Sequence, residues 1–122
     1  MEHYPTQKVK LETLPGSNED VCIVKVSGAL TINNFFEFQD VARKSGSGPL
    51  IVDLAEVPYI DSAALGCLIG IHVSREKAAR KYALVNVNER LKSLFTMSGV
   101  NGFLVTYMSV DEAEAALASG SR

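Results

Sequence analysis

Residues 50–72 read LIVDLAEVPYIDSAALGCLIGIH, with apolar runs on both sides of a short break. Residues 50–54 are apolar apart from one acid and follow Pro49, which predicts a buried strand. Pro58 interrupts the pattern because proline has no N–H to donate to a strand ladder. After Ser62, apolar residues occupy most sides of a helical wheel, which is typical of a buried helix. The stretch therefore predicts a strand, a turn and a helix.

Ser62 stands at the predicted start of this helix, and serine is a preferred N-cap residue. A cap hydroxyl satisfies a backbone N–H and contributes about 1 kcal/mol. The same position lies beside unpaired N–H groups and the positive end of the helix dipole, where a phosphate group is favoured. Asp61 acts in the opposite sense, because its negative charge repels an adjacent phosphate. Residue types alone leave two roles for Ser62, a helix cap or a charge switch. The cap is favoured, because most serines at the N-cap position only cap the helix.

The composition is that of a folded soluble protein. The chain has 122 residues, of which 47% are hydrophobic and 21% charged, and its formal net charge is −2. We expect one domain over residues 1–122, with an ordered core over roughly 7–118. The sequence shows no clustered basic face of the kind that binds nucleic acid. It also shows no apolar run that could cross a bilayer and no signal-peptide pattern. We therefore expect neither direct nucleic-acid binding nor membrane binding.

Both cysteines, Cys22 and Cys67, lie within apolar patterns. Such cysteines are typical of small buried hydrophobic residues in a reducing compartment, and they do not have the spacing of a disulfide framework or a metal site. We expect a cytoplasmic protein that needs no metal and no cofactor.

The rest of the chain predicts seven further elements around the central strand and helix. They are a strand over 8–14, a strand over 21–26, a helix over 31–44, a strand over 82–87, a helix capped by Asn88 and ended by Gly99, a strand over 103–107, and a helix after the capping-box pattern Ser109–Glu112. Two antiparallel strands followed by strand–helix units predict an α/β fold with a mixed sheet of about five strands and four helices.

Several segments together resemble one protein family. They are IVDLAEVPYIDSAALG at 51–66, LVNVN at 84–88, Leu94-Phe95, Ser98-Gly99-Val100, and the closing Phe103 with YMSVDEA at 107–113. In this order they are similar to the STAS domains of bacterial anti-sigma factor antagonists, and the resemblance covers nearly the whole chain. It implies the STAS fold.

The resemblance also implies a function. Family members bind an anti-sigma factor, which is a serine kinase, and so release a sigma factor for transcription. The kinase phosphorylates the serine that aligns with Ser62, phosphorylation abolishes binding, and a serine phosphatase resets the switch. Such a protein catalyses nothing itself, and we expect a monomer or a weak dimer. The alternative is a STAS binding or scaffold module in a signalling complex, which recognises a ligand or partner without phosphorylation.

The implied partner surface surrounds this serine and the loop after the second strand. It covers residues 28–34 and 59–65, and the residues selected within it are Gly28, Thr31, Asn33, Tyr59, Ile60, Asp61, Ser62, Ala63, Ala64 and Leu65. The chain departs from the family pattern in two places. Ala29 and Thr31 stand where members typically have glutamate and aspartate, and Ala63-Ala64 stand where members often have serine-glycine. Thr31 is itself expected to make a turn or cap bond.

An enzyme is the remaining class, because Asp53, Glu56 and Asp61 place three carboxylates in one segment. A hydrolase would need a nucleophile with a base beside it. His72 lies more than two turns along the helix from Ser62, too far to activate it, and we expect it at the helix surface or at its boundary with the core. No metal-ligand cluster accompanies the carboxylates. We therefore expect no enzymatic activity.

Two other polar groups have structural explanations. Asn86 and Asn88 flank a predicted strand end, where turn and cap bonds are the usual role of asparagine. A basic group at the end of the central helix is predicted to be solvated and to suit the negative end of the helix dipole. This group comprises Arg75, Lys77, Arg80 and Lys81.

Overall fold

The computed structural model describes residues 9–17 and 20–119. These residues form five strands and four helices in the predicted order. The elements are β1 (Lys10–Pro15), β2 (Cys22–Ser27), α1 (Phe35–Arg43), β3 (Leu50–Glu56), α2 (Ser62–Lys77), β4 (Tyr82–Val85), α3 (Glu89–Met97), β5 (Thr106–Tyr107) and α4 (Val110–Ser119). The predicted α/β fold with a mixed sheet is confirmed.

The strands lie in the sheet in the order of the chain, β1-β2-β3-β4-β5. β1 pairs with β2 in antiparallel fashion, and the later pairs are parallel. Helices α1, α2 and α3 each connect one parallel strand to the next. Because β2 and β3 run in the same direction, the loops that follow them leave the sheet at the same edge.

The sheet has a packed core on each face. Val24, Val52 and Leu84 are neighbours across β2, β3 and β4, and they pack in the larger cluster with residues of α1, α2 and α3. Ile51 and Ala113 belong to a smaller cluster on the opposite face, beneath α4. Alternation along the strands therefore places three helices on one face and one helix on the other.

Helix α1 begins later than the predicted range of 31–44, because residues 31–34 form a turn. The side-chain oxygen of Asn34 accepts from the Thr31 N–H at 2.8 Å, and its amide donates to the Ala29 carbonyl at 3.0 Å. Asn34 is the N-cap residue by position, but its buried side chain makes no cap bond to the helix. Its side chain instead makes both hydrogen bonds within residues 29–34, and these bonds hold the loop before α1 closed.

Strands β4 and β5 are shorter than their predicted ranges of 82–87 and 103–107. β4 ends before Asn86, which adopts a left-handed backbone with φ of 58°. β5 has two residues, because a turn in which Leu104 N–H donates to the Val100 carbonyl at 3.1 Å occupies the preceding segment. At the other end of the chain, Lys8 of the first predicted strand lies outside the described residues.

The predicted signals at the ends of α3 and α4 are confirmed. The Asn88 side chain accepts from the Leu91 N–H at 2.8 Å, and Gly99 ends α3 with φ of 73°. The Ser109 hydroxyl accepts from the Glu112 N–H at 3.1 Å at the start of α4. Local sequence signals therefore set these helix ends.

Arg75 contradicts the prediction of a fully solvated basic group. It is only 6% exposed. Its Nε donates to the Lys81 carbonyl at 3.0 Å, and its terminal nitrogens donate to Ser45 Oγ and the Gly48 carbonyl. Lys81 also has a protein partner, since its Nζ donates to the Leu117 carbonyl at 2.8 Å. Arg75 thus ties the end of α2 to the loop between α1 and β3.

Both cysteines are free thiols, as predicted. Cys67 is buried, and burial raises the pKa of its thiol to about 11. Cys22 is half-buried, and burial raises the pKa of its thiol as well. Within residues 9–17 and 20–119, no helix combines the length and the apolar character needed to cross a membrane.

Helix α2 ends in an unusual way for an L-residue. Ala79 has φ of 58°, its N–H donates to the Glu76 carbonyl at 3.0 Å, and the Arg80 N–H donates to the Arg75 carbonyl at 2.8 Å. These are the two bonds of a Schellman motif, in which the left-handed residue is usually glycine. An alanine there strains the backbone by about 1–2 kcal/mol.

We expect Ala79→Gly to stabilise the protein, because relief of this strain exceeds the added entropy of the unfolded chain. The expected gain in the free energy of unfolding is about 0.5–1 kcal/mol, measured by urea denaturation. Ala78→Gly is the matched control, because Ala78 has φ of −90° and no strain to relieve. That variant should lose stability. Equal effects of the two changes would show that Ala79 is not strained.

Candidate functional site

The loops after β2 and β3 are joined by backbone hydrogen bonds at the same edge of the sheet. The Gly28 N–H donates to the Glu56 carbonyl at 2.9 Å, and the Leu30 N–H donates to the Tyr59 carbonyl at 3.2 Å. The Asp61 N–H then donates back to the Leu30 carbonyl at 3.3 Å. The structure therefore brings together the two segments that the resemblance implied as one partner surface.

Asp61 holds the start of α2 against the loop after β2. Its Oδ1 accepts from the Ala64 N–H at 2.9 Å, which is a helix cap, and its Oδ2 accepts from the Ile32 N–H at 2.9 Å. The prediction that Ser62 caps this helix was wrong, because Asp61 is the N-cap residue. A carboxylate has two acceptor oxygens, so it can serve both N–H groups at once, whereas a hydroxyl has one oxygen.

Ser62 is instead the first residue of α2, and its side chain is exposed. The backbone N–H groups of Ser62 and Ala63 lie in the first turn, where the helix itself supplies no acceptor. The positive end of the helix dipole lies at the same place. An anionic group on the Ser62 hydroxyl would meet these N–H groups. The nearby Asp61 carboxylate already accepts one N–H on each oxygen, which offsets part of its charge.

Three large apolar side chains are exposed on the loop after β2, the start of α1 and the loop after β3, the segments that adjoin the start of α2. Ile32 is 57% exposed, Phe36 is 65% exposed and Tyr59 is 40% exposed. Phe36 stacks on Phe35 with ring centroids 4.3 Å apart, and the Arg90 guanidinium lies 5.8 Å from the centre of the Tyr59 ring. We call Ile32, Phe36 and Tyr59 the apolar patch. Large exposed apolar residues on neighbouring segments are typical of a protein-binding surface.

The other residues of the implied surface differ in how far they are buried. Ile60, Ala64 and Leu65 are buried, so their side chains support the surface from below. The remaining residues are accessible or half-buried: Gly28, Thr31, Asn33 and Ala63. Thr31 makes the expected turn bond, since its Oγ1 accepts from the Asn33 N–H at 3.2 Å. Gly28 has φ of 105°, which favours glycine at the end of β2.

Sequence reasoning missed Phe36, and it included Ile32 only as an unselected member of the implied loop over 28–34. The helical spacing of Phe35, Phe38 and Ala42 predicts the apolar face of α1, and Phe38 and Ala42 are indeed buried. Ile32 and Phe36 are four residues apart and lie off that face. The sequence signal that could have identified them is the presence of two large apolar residues on the polar side of the start of α1.

Two of the three carboxylates considered for catalysis, those of Asp53 and Asp61, have structural partners. Asp53 Oδ1 accepts from the Asn86 amide at 2.9 Å and from the Ala55 N–H at 3.0 Å. His72 lies 3.4 Å from Glu76 between Nε2 and Oε1, and its ring contacts a phenylalanine. Among the described residues, no three histidine, cysteine or acidic side chains are grouped so that they could hold a metal ion. The geometry gives Asp53 and Asp61 the role of fixing loops.

Comparison with known proteins places the chain in a family context. A family model described as STAS domain matches residues 15–113. The anti-sigma-B factor antagonist of Staphylococcus epidermidis is 28% identical over 99 residues, which cover 79% of this chain and 90% of that protein.

Solved structures share the same architecture. An anti-sigma-factor antagonist (STAS) domain protein from Planctomyces limnophilus superposes with a TM-score of 0.77 at 14% identity, covering 88% of this chain and 97% of that one. The anti-sigma factor antagonist SpoIIAA in its unphosphorylated form gives 0.72 at 15% identity, covering 94% and 100%. The phosphorylated form of SpoIIAA from Bacillus gives 0.64 at 16% identity, covering 88% and 97%. At these identities the likeness shows the fold.

The two bonds of Asp61 give a graded stability prediction. Asp61→Ala removes both acceptors and should lower the free energy of unfolding by about 2 kcal/mol. Asp61→Asn keeps one acceptor oxygen and should lose about half as much. The measurement is urea denaturation, with Glu56→Ala as a control that removes an exposed carboxylate from the same segment. Equal stability of Asp61→Ala and Glu56→Ala would contradict the assigned role.

Proposed function

The chain belongs to the STAS domain family, and we propose that it is an anti-sigma factor antagonist. In this proposal it binds an anti-sigma factor that is also a serine kinase, and binding releases a sigma factor. Phosphorylation of Ser62 ends the binding, and a serine phosphatase restores it. The protein works in the cytoplasm by binding alone, as a monomer or weak dimer.

One observation carries the proposal: an exposed serine begins α2 directly after Asp61, whose carboxylate binds the loop that carries Ile32. A partner that covers Ile32, Phe36 and Tyr59 gains free energy because apolar surface leaves water. The same partner would have to cover Ser62, which lies next to the cap that holds the patch loop in place. The phosphorylation state of Ser62 would therefore affect the contact between the protein and its partner.

A phosphate on Ser62 would leave the fold intact. The first-turn N–H groups and the helix dipole favour an anion there, and no buried group has to move because the side chain is exposed. The apolar patch also stays in place, since its loop is held by Asp61 and by backbone bonds. The unbound protein thus tolerates both states of Ser62.

The bound complex would not tolerate the phosphate. A group with nearly two negative charges would enter an interface made largely of apolar contacts, where it loses water and gains no matched partner. An uncompensated buried charge costs about 3–5 kcal/mol, which is more than 100-fold in Kd. This is enough for a switch between bound and free protein.

Thr31 favours the second candidate, a STAS binding or scaffold module without phosphorylation. The family typically has an aspartate at this position, and here the threonine hydroxyl is used in a turn with Asn33. A kinase that needs the aspartate would not modify such a protein. Intact mass measurement on protein purified from its native cells separates the two candidates. Phosphate mapped to Ser62 supports the switch, and unmodified protein under all growth conditions supports the module.

We expect Ser62→Glu and Ser62→Asp to weaken binding of the anti-sigma factor by about 10- to 100-fold, because a carboxylate carries part of the charge of a phosphate. Ser62→Ala should bind as the unmodified protein does and should stay bound in the presence of the kinase and ATP. The measurement is calorimetric titration with the purified anti-sigma factor. Ser93→Glu, which places a charge at an exposed serine on α3, is the control. Binding of Ser62→Glu equal to that of Ser93→Glu would refute the switch.

We expect Phe36→Ser and Ile32→Ser each to weaken the same binding by about tenfold or more, since each removes exposed apolar area from the patch. Both side chains are largely exposed, so the melting temperature should change little. Met97→Ser is the matched control, because Met97 is 84% exposed at the end of α3 and lies outside the patch. Loss of binding in Met97→Ser but not in Phe36→Ser would place the interface elsewhere.

A further inference from the structure

A groove of about 250 Å³ lies between the C-terminal halves of α1 and α2. It plays no part in the partner surface, whose exposed residues lie at the other ends of these two helices. Polar and small residues dominate its lining. We call it the arginine groove, and the residues that matter here are Gln39, Arg43, Gly70, Ser74, Arg75 and Arg80.

The arginine groove is strongly positive. Three arginines line it, and no aspartate or glutamate is among the described residues that do so. The nearest acids along α1 and α2 have other partners. Asp40 pairs with Lys44 at 3.1 Å, and Glu76 lies 3.4 Å from His72. The positive charge of the groove is therefore not balanced by carboxylates in its wall.

Arg75 is fixed in the groove wall before any ligand arrives. Its three hydrogen bonds to Lys81, Ser45 and Gly48 use three of the five N–H groups of a guanidinium. In the part of the chain that the structure describes, one N–H on each terminal nitrogen remains for another acceptor. Burial lowers the pKa of Arg75, and the positive charge of Arg80 lowers it further. An anion between Arg75 and Arg80 would relieve this repulsion.

Gly70 keeps the groove open. A Cβ atom added at this position would meet no other atom within 4 Å, so the space above the helix backbone is free. Ser74 lies one turn further along α2 and supplies a hydroxyl, and Gln39 supplies an amide from α1. The groove thus combines charged donors, neutral donors and room for a small group.

We propose that the arginine groove binds a small soluble anion that carries a phosphate group. Planar guanidinium groups match the geometry of phosphate oxygens and bind them with pairs of charge-assisted hydrogen bonds. The rival explanation is that the arginines only balance the negative ends of the α1 and α2 dipoles, near which Arg43 and Arg75 lie. That explanation requires no open space at Gly70 and predicts no saturable site.

Calorimetric titration with inorganic phosphate and with AMP, at ionic strength matched with sodium chloride, tests the proposal. We expect one saturable site for each probe, with an affinity that falls as salt is added. Backbone amide NMR shifts should concentrate in residues 39–43 and 70–80. Absence of saturation up to about 10 mM of both probes would overturn the proposal. Binding only to vesicles that contain phosphatidic acid would also overturn it, in favour of a lipid headgroup.

Paired variants distinguish phosphate binding in the arginine groove from a general attraction to surface charge. Arg43→Gln and Arg80→Gln should each weaken phosphate binding by about tenfold, the weight of one charge-assisted hydrogen bond. Lys77→Gln removes an exposed positive charge of α2 that does not line the groove, and it should change the affinity by less than about twofold. Equal losses in Lys77→Gln and Arg80→Gln would show that no specific site exists.

Two glycine variants test whether phosphate binding needs the open space above Gly70. Gly70→Leu should fill the groove and abolish binding, whereas Gly66→Leu, one turn earlier on the same helix, should bind as before. Both positions are open to a side chain, and both changes replace glycine in a helix, so both variants should fold. Loss of phosphate binding in Gly66→Leu alone, or in neither variant, would refute the groove as the site.

Discussion

Asp61 holds together the two segments that make up the candidate site, the loop after β2 and the start of α2. One oxygen caps α2, the other binds the loop after β2, and the backbone N–H of the same residue donates to Leu30. Each bond is of ordinary strength. Together they fix the angle at which the helix leaves the sheet and the position of the loop that carries Ile32. The exposed face of Ser62 and the apolar patch therefore keep one arrangement relative to each other, which a partner can recognise without reordering the loops.

The strands and helices could be predicted because their signals are local. Alternation along β2 assigns opposite faces to Val24 and Ile23, and Asn88, Gly99 and Ser109 mark helix ends by their own chemistry. The start of α2 could not be predicted in the same way, because aspartate and serine are adjacent and both are good caps. What decides between them is the Ile32 N–H, which is distant in sequence and needs a second acceptor.

The same limit explains two other errors of the sequence analysis. Helical periodicity predicts the face of α1 that packs on the core. It gives no information on which exposed residues lie on the segments that adjoin Ser62. Arg75 has the charge and position of a solvated helix-end residue, and its burial results from the loop over 44–49, which supplies acceptors from Ser45 and Gly48. Contacts between segments far apart in the chain decide both cases, and residue type alone does not encode them.

The order of the strands in the sheet has a consequence for how the molecule assembles. Every strand pairs with the strand before it in the chain, so the sheet grows by successive additions and no pairing requires a distant segment to arrive first. Each parallel pairing closes a single helical crossover, so no closure spans more than one connection of the chain. The partner surface is built on β2, β3 and the helices that follow each of them. A growing chain can therefore form this surface before the last strand and the last helix have left the ribosome.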